Sequence, residues 1–283
     1  MQSIDKEPLL DKKEVIFIKR TSIEIEKKVC QDYQTGNYSS RELGIKYSLS
    51  KTCILKILER YNIPKINRRL VNNNLDVHYF DNIDTEEKAY FLGFIFADGS
   101  ISNDEFFLDI NEKDIEILLR IREEIHSNCK ITTRKKGNSM MSRIAIKNKV
   151  FCSSLYQYGI IENKTKMTSH LPVEKIPTIF YKDFLRGLID GDGWVIKTKQ
   201  NLYKIGYVTQ YYSTALDFVE MLNSLLEEKW KNKILTPKDR YAIVNIQKQS
   251  IVKQVALVLY KGNKICLSRK FQMAQEIFDS NCR

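Results

Sequence analysis

Two short stretches, FLGFIFADG at 91–99 and FLRGLIDGDG at 184–193, follow almost the same pattern. Each is an apolar run in which a glycine stands four residues before another small residue, and each ends in Asp-Gly. The two terminal aspartates, Asp98 and Asp192, are separated by about the length of one small domain. The repetition predicts two similar halves, each with a helix that carries a carboxylate at its C-terminal end.

The spacing of small residues predicts that these two helices pack closely. Gly93 and Ala97 are separated by four positions and therefore lie on one side of the first helix. Gly187 and Gly191 repeat this arrangement in the second helix. A glycine inside a helix costs roughly 1 kcal/mol relative to alanine, so these positions indicate a packing requirement.

The residues that end the two helices suggest a shared metal site. Gly99 and Gly193 suit the left-handed position that follows many helices. Asp98 and Asp192 would then lie at helix C-termini, where the helix dipole is already negative. A divalent cation such as Mg²⁺ would offset the repulsion. One helix ending in Asp-Gly would be an ordinary helix stop, whereas two matching copies favour a site.

These motifs resemble those of the double-motif (monomeric) LAGLIDADG homing endonucleases, over roughly residues 85–265. Phe96 replaces the first aspartate of the signature in the first copy, at a position that is often not a metal ligand. Arg186 and Gly191 replace alanines in the second copy. The first copy keeps Gly93, Ile95, Ala97, Asp98 and Gly99, and the second keeps Leu185, Gly187, Leu188, Ile189, Asp190, Asp192 and Gly193.

The resemblance implies an α+β fold with two pseudo-symmetric αββαββα units that form a saddle-shaped DNA-binding surface. The pattern of the chain agrees with two such units, each with an antiparallel sheet that has helices on one face and a free, basic face on the other. In the first unit it predicts helices over 86–97, 112–128 and 149–158, with hairpins between them. In the second it predicts helices over 180–190, 212–228 and 249–260, and strands near 194–199, 203–210, 231–236 and 240–247.

The residues before the first motif predict a small all-α unit. Three short helices over 22–63 resemble the helix-turn-helix of resolvases and transposases, although a plain three-helix support domain is the alternative. In the first case Ser50, Lys51 and Thr52 would begin the recognition helix. Residues 64–85 read as a basic linker in which Lys65, Arg68 and Arg69 are available for phosphates. The predicted domains are 1–63, the linker 64–85, 86–165, and 166–283 with a C-terminal helix.

Composition limits the classes of function. The chain has 283 residues, a net charge of +11 and a pI near 9.2, which favours a polyanionic partner. Scattered cysteines and three histidines argue against a zinc site. No apolar run is long enough for a membrane span, and the charged N-terminus is not that of a signal peptide. We therefore expect a cytoplasmic or organellar protein that is not secreted.

The resemblance also implies roles for individual residues. Mg²⁺ or Mn²⁺ would be held by Asp98 and Asp192 with the backbone carbonyls of Ala97 and Gly191. Further catalytic candidates are Gln210, the corresponding Glu112 with Lys113, and the two lysines that precede the last helix of each half, Lys149 and Lys248. Candidate DNA contacts on the strands and turns are Arg134, Lys135, Lys136, Arg143, Lys147, Lys197, Lys199, Tyr203, Lys204, Lys231, Lys233 and Arg240.

Three functions remain open at the level of sequence. The first is a site-specific endonuclease that cuts a long asymmetric double-stranded DNA target as a monomer, one phosphodiester per strand. The second is a splicing maturase that binds intron RNA on the same fold. The third is a non-catalytic DNA-binding regulator. Retention of both motif aspartates favours the first over the third, and the N-terminal helices favour DNA over RNA.

Overall fold

The chain forms two compact units, residues 1–68 and residues 69–283. The computed structural model describes residues 21–35, 38–64, 74–162, 169–237, 240–263 and 265–280. The predicted phosphate contacts Lys65, Arg68 and Arg69 lie outside these residues.

The described residues of the first unit form three helices, as the sequence predicts: α1 (Ile23–Gln34), α2 (Ser40–Lys46) and α3 (Lys51–Arg60). Each begins after a serine whose hydroxyl accepts a hydrogen bond from a backbone N–H of the first turn. Ser39 forms a capping box with Glu42, in which each side chain accepts from the other's backbone. The core of the unit is built from Val29, Cys30, Tyr33, Leu43, Ile54, Ile57 and Leu58.

The first half of the second unit contains one antiparallel sheet and the helices around it. Its elements are α4 (Glu86–Asp98), β1 (Gly99–Ser102), β2 (Glu105–Asn111), a 3₁₀ turn (Glu112–Asp114), α5 (Ile115–Glu124), β3 (Thr132–Lys136), β4 (Ser139–Lys147) and α6 (Lys149–Tyr156). The four strands lie in the order β1-β2-β4-β3. Asn103 and Asp104 have positive φ angles and form the two-residue turn between β1 and β2. The β3–β4 hairpin turns at Gly137 and Asn138.

The described residues of the second half form a similar series of elements. These are α7 (Tyr181–Asp192), β5 (Gly193–Lys197), β6 (Tyr203–Thr209), α8 (Tyr212–Leu225), β7 (Ala242–Ile246), α9 (Gln249–Tyr260) and α10 (Ser268–Asp279). The second sheet has the order β5-β6-β7. The strand predicted near 231–236 reduces to one bridge between Leu235 and Ile243. Pro237 has no N–H, so the pairing cannot extend from this bridge on the side of Tyr241.

The described second part of the predicted linker, residues 74–85, packs against the second unit. Leu75, Tyr79 and Phe80 are buried in the core of the second unit. The Phe80 ring lies edge-on to Phe151 at 5.9 Å between centroids, and its carbonyl accepts a hydrogen bond from the Gln157 amide. The apolar residues of this segment therefore contribute to the fold, and the boundary between the two units lies before them.

Candidate functional site at the crossing of two motif helices

The α4 and α7 helices cross at the glycines of the repeated motif. A Cβ atom on Gly93 would overlap the carbonyl oxygen of Phe184, and one on Gly187 would overlap the carbonyl oxygen of Tyr90. Because the obstructing atoms belong to the backbone, neither position has room for a side chain. The close approach that the spacing of small residues predicts is therefore present, and it is nearly symmetric.

The glycines after the two aspartates are required for a different reason from the one predicted. Gly99 and Gly193 have φ angles of −76° and −116°, so both are extended and neither is left-handed. They are the first residues of β1 and β5. A Cβ on Gly99 would lie 2.5 Å from the Ile95 carbonyl oxygen, and one on Gly193 would lie 2.7 Å from that of Ile189. Close packing on the last helical turn selects glycine at both positions, and at Gly193 the Gly206 carbonyl oxygen on β6 lies closer still, at 2.5 Å.

The crossing brings the two motif aspartates to the same end of the helix pair. The Oδ2 atom of Asp98 lies 3.4 Å from the position that a Cβ on Gly191 would take, so the first carboxylate rests against the last turn of the second helix. Asp98 is exposed and Asp192 is partly exposed. Asp192 and Ala97 line a cavity of about 340 Å³. Two carboxylates and nearby helix-end carbonyls are oxygen ligands of the kind that Mg²⁺ and Mn²⁺ accept.

Gln210 lines the same cavity as Asp192, and its amide donates to the Arg240 carbonyl at 3.1 Å. The register identifies its counterpart in the first half. Gln210 comes three residues after Tyr207, which pairs with Gly193. Asn111 comes three residues after Leu108, which pairs with Gly99. The counterpart is therefore Asn111, also an amide, rather than Glu112 as the sequence suggested.

Lys149 and Lys248 do not join the site. Lys248 follows β7, whose Ile246 pairs with Ile205, so it lies at the end of the sheet away from Gly193. The length of β5 makes that separation about 13 Å. The Lys248 ammonium instead pairs with Glu228. Lys149, at the start of α6, lies beside the corresponding far end of the first sheet, where Lys147 pairs with Glu105. Sequence order alone could not show that these lysines fall at the wrong sheet ends.

Lys113 and Glu112 stand in the 3₁₀ turn after β2. The backbone N–H of Lys113 donates to the Asn111 side chain at 3.1 Å. Asn111 therefore serves as the cap of that turn, and Lys113 is exposed.

Asp190, the first aspartate of the second motif, is structural. Its buried carboxylate accepts hydrogen bonds from the hydroxyls of Tyr90 and Tyr260 and from the Leu267 N–H, at 2.8–2.9 Å. Burial raises the pKa of Asp190, and the three donors oppose this by favouring the carboxylate form. The group ties α7 to α4 and to the start of α10. Phe96 takes this place in the first copy and needs no such partners.

Arg186, which departs from the motif, is buried with a partner. Its Nε donates to the Ile265 carbonyl at 2.8 Å and its Nη1 to the Leu259 carbonyl at 3.0 Å. Asp183 Oδ1 lies 2.8 Å from its Nη2. Burial raises the pKa of Asp183. The arginine thereby fixes the segment between α9 and α10 against α7.

Lys270 is the residue near the site that the sequence interpretation missed. Its ammonium donates to three carbonyls at the end of α7 and the start of β5: those of Ile189, Asp190 (2.8 Å) and Gly193 (2.7 Å). Burial lowers the pKa of Lys270 to about 8. A cation at this helix terminus offsets the dipole beside Asp192. The signal was present, because Lys270 falls on the otherwise apolar stripe of α10 with Ala274 and Ile277.

The free face of the first sheet is charged, as predicted. Strand alternation places four basic and two acidic side chains on it. Arg134 and Arg143 both contact Asp109, at 3.1 Å and 2.7 Å, and Arg143 holds the pKa of that carboxyl below its usual range. The outward residues with charge are Glu105, Asp109, Arg134, Lys136, Arg143 and Lys147. Lys135 is exposed on edge strand β3.

The second sheet corrects the expectation of a second basic face. Lys197 and Tyr203 lie on its helix-covered side, where both contact Glu276 of α10. They are therefore positioned against a helix rather than for contact with a duplex. Lys204 does lie on the free face. The remaining predicted cations of this half, Lys199, Lys231, Lys233 and Arg240, are exposed in the turns and loops around the sheet.

In the first unit, the predicted recognition residues stand at the start of α3. Ser50 is the N-cap and accepts from the Cys53 N–H at 3.1 Å. Lys51 and Thr52 are exposed on the first turn.

No helix among the described residues is long and apolar enough to cross a membrane. In the same parts of the chain, no group of three or more His, Cys, Asp or Glu side chains could hold a metal ion, so a metal at the crossing would depend on two carboxylates with backbone or solvent oxygens.

Two family models match the two halves separately. Residues 180–255 match the LAGLIDADG-like domain, and residues 87–148 match the WhiA LAGLIDADG-like domain. The chain carries two LAGLIDADG-like domains. The matched segments begin at or beside α4 and α7, so each LAGLIDADG-like domain opens with one of the crossing helices. A search among curated proteins finds no match.

Solved structures with a similar fold come from proteins of low sequence identity. Meganuclease I-SmaMI bound to uncleavable DNA has a TM-score of 0.48 at 15% identity, over 68% of this chain and 90% of that one. The N-terminal LAGLIDADG domain of DUF199/WhiA has a TM-score of 0.44 at 14% identity, over 70% and 93%. I-DmoI in complex with DNA and Mn has a TM-score of 0.43 at 16% identity, over 67% and 99%.

Proposed function

We propose that this protein is a site-specific endonuclease that hydrolyses one phosphodiester on each strand of a long, asymmetric double-stranded DNA target. The observation that carries the proposal is the crossing of α4 and α7, in which the Asp98 carboxylate rests against Gly191, the neighbour of Asp192. Two carboxylates held at one helix crossing suit a reaction at two nearby phosphates. Both motif copies lie in one chain, so a monomer would suffice and the target need not be palindromic.

Asp98 and Asp192 would hold Mg²⁺ or Mn²⁺ with the carbonyls of Ala97 and Gly191. Such an ion, when bound, supplies activation of the attacking water and stabilisation of the leaving 3′ oxygen. Gln210 and Asn111, which lie at equivalent strand ends, would orient water by hydrogen bonds. Lys270 would act as a positioning residue that holds the end of α7 and, through it, Asp192. The I-DmoI structures contain DNA with Mn or Ca, which agrees with divalent metal use in that protein.

The basic free face of the first sheet would contact the duplex. Arginine and lysine side chains suit guanine edges and phosphates. The exposed start of α3, with Lys51 and Thr52, would supply additional DNA contacts as a recognition helix.

Removal of residues 1–68 should weaken DNA affinity and spare cleavage. A truncated protein that is folded but inactive would contradict that division of roles. The cut belongs at 68, because Leu75, Tyr79 and Phe80 are core residues of the second unit.

The test is cleavage of a randomised double-stranded DNA library with Mg²⁺ and with EDTA, beside the Asp98→Asn/Asp192→Asn protein. We expect metal-dependent cuts at one long asymmetric sequence, absent in the variant. Selective retention of DNA without any cut would assign the protein to regulation. Retention of structured intron RNA in preference to DNA would assign it to splicing.

A further inference from the structure

The free face of the second sheet carries a row of apolar residues. Val208 and Ile243 are cross-strand partners on this face, and the Leu235 bridge extends the row. Trp194 and Ile196 lie on the neighbouring strand. Leu235 and Ile196 are 46% and 43% exposed, respectively. A row of partly exposed apolar side chains on a sheet face that no described helix covers favours a partner for that face.

The register makes the contrast between the two faces specific. Val208 comes one residue after Tyr207, and Asp109 one residue after Leu108, so these two positions correspond. Their partners across the sheet are Ile243 and Arg143. An Asp–Arg pair in the first sheet is thus replaced by a Val–Ile pair in the second. Both sheets begin directly after a motif helix, and each pair lies one residue beyond the strand position that pairs with the glycine after the motif aspartate.

Lysine and arginine surround this apolar row. Lys204 shares the face, and Lys233 and Arg240 flank the bridge and β7 as exposed residues. An apolar centre with a positive rim complements a polyanion that presents apolar groups. Duplex DNA has one such group in its major groove, the 5-methyl of thymine.

We propose that Val208, Ile243 and Leu235 contact thymine methyl groups in one half of the DNA target, whereas Arg134 and Arg143 read guanines in the other half. This inference rests on the proposed function and adds the base composition of each half-site to it. The target would be thymine-rich on the side of the second domain and guanine-rich on the side of the first.

Replacement of thymine by deoxyuridine isolates the methyl group, because no hydrogen-bonding atom changes. The full chain is first used to select binding sites from random DNA in Ca²⁺, and each thymine of the selected site is then replaced singly. Loss of one buried methyl corresponds to about fourfold in affinity. We expect losses of this size at two or more thymines clustered in one half-site and unchanged affinity at thymines of the other half.

The Val208→Asp/Ile243→Arg protein installs the residues of the first sheet and should lose the response to deoxyuridine at those thymines, with guanine selected there instead. If the Val208→Asp/Ile243→Arg protein does not fold, Val208→Ala/Ile243→Ala replaces it. This variant should lose the affinity response to deoxyuridine and should not select guanine at those positions. Lys204→Ala is the matched control, since it should lower affinity for every substituted site equally.

The outcomes separate this inference from the proposed function. Selection of a specific site whose affinity is insensitive to deoxyuridine throughout would overturn the thymine assignment and leave the endonuclease standing. Failure to retain any DNA would overturn both. A dimer that forms with rising protein concentration and is abolished by Ile243→Arg, together with insensitivity to deoxyuridine, would assign the face to a second copy and also overturn the inference.

Discussion

The two LAGLIDADG-like domains are nearly identical where their helices cross and differ almost everywhere else near the site. Gly93 and Gly187 each face the backbone of the other helix. Away from the crossing, α7 carries a buried ion pair and the buried Asp190, whereas the matching positions of α4 are apolar. The comparison teaches that backbone contact fixes sequence strictly, while the groups that support each helix can diverge within one chain.

The symmetric part of the comparison predicts the largest effect. Gly93→Ala and Gly187→Ala should each destabilise the second unit by more than about 3 kcal/mol, because the new methyl group meets backbone that cannot move aside. Chemical denaturation would measure this. Gly262→Ala is the control, since Gly262 has a φ of +75° with open space around it and should cost only about 1 kcal/mol. Equal costs at the control and at the crossing would contradict the packing account.

The asymmetric part can be tested by converting α7 toward α4. By motif alignment, Asp183 and Arg186 correspond to Ala89 and Leu92. Arg186→Leu alone should cost about 3–5 kcal/mol, because it leaves a buried carboxylate without its partner. Asp183→Ala/Arg186→Leu should cost less than the single variant. The unfolding free energies of the single and double variants, measured by chemical denaturation, give the interaction between Asp183 and Arg186. A double variant that is less stable than Arg186→Leu would show that the buried carboxylate does not need the arginine.

Among the described residues, no buried lysine holds the end of α4 as Lys270 holds the end of α7. Removal of the Lys270 side chain should therefore act on the second motif helix alone. Lys270→Met should destabilise the unit by about 2 kcal/mol through loss of the hydrogen bonds to three helix-end carbonyls. Exposed Lys261→Met provides a matched control with little expected effect. Thermal unfolding compares the two, and indistinguishable midpoints would show that the three carbonyls do not need the ammonium.

The smallest effect concerns the free faces of the sheets. The pKa of Asp109 is lowered by Arg143, so its contribution to stability is present above the unfolded-state pKa and is lost as the pH falls through the folded-state value. Urea unfolding at pH 5 and pH 3 should show a loss of about 1 kcal/mol that is reduced in Asp109→Asn. The corresponding Val208 cannot titrate. An unchanged pH response in Asp109→Asn would place the acid sensitivity elsewhere.

The sequence predicted the fold well where local spacing carries the information. The motif glycines, the Gly-Asn and Asn-Asp turns and the serine caps all have short-range causes. The predicted fourth strand of the second sheet reduces to one bridge at Leu235, and Pro237 accounts only for the lack of pairing on the side of Tyr241. At the site, the aspartates were placed by their motif, whereas Asn111, Lys149 and Lys248 depended on strand register. The position of Lys270 on the apolar stripe of α10 marked it as buried, whereas its contact with the end of α7 depended on how α10 docks.

The central claim is that Asp98 and Asp192 act together at the helix crossing to cut both strands. The most direct measurement compares Asp98→Asn and Asp192→Asn as single variants on a supercoiled plasmid that carries the selected target, with Mg²⁺ present and with DNA binding followed in parallel. We expect both variants to bind the target and neither to convert the plasmid to the linear form. Linearisation at the wild-type rate by either variant would contradict the claim.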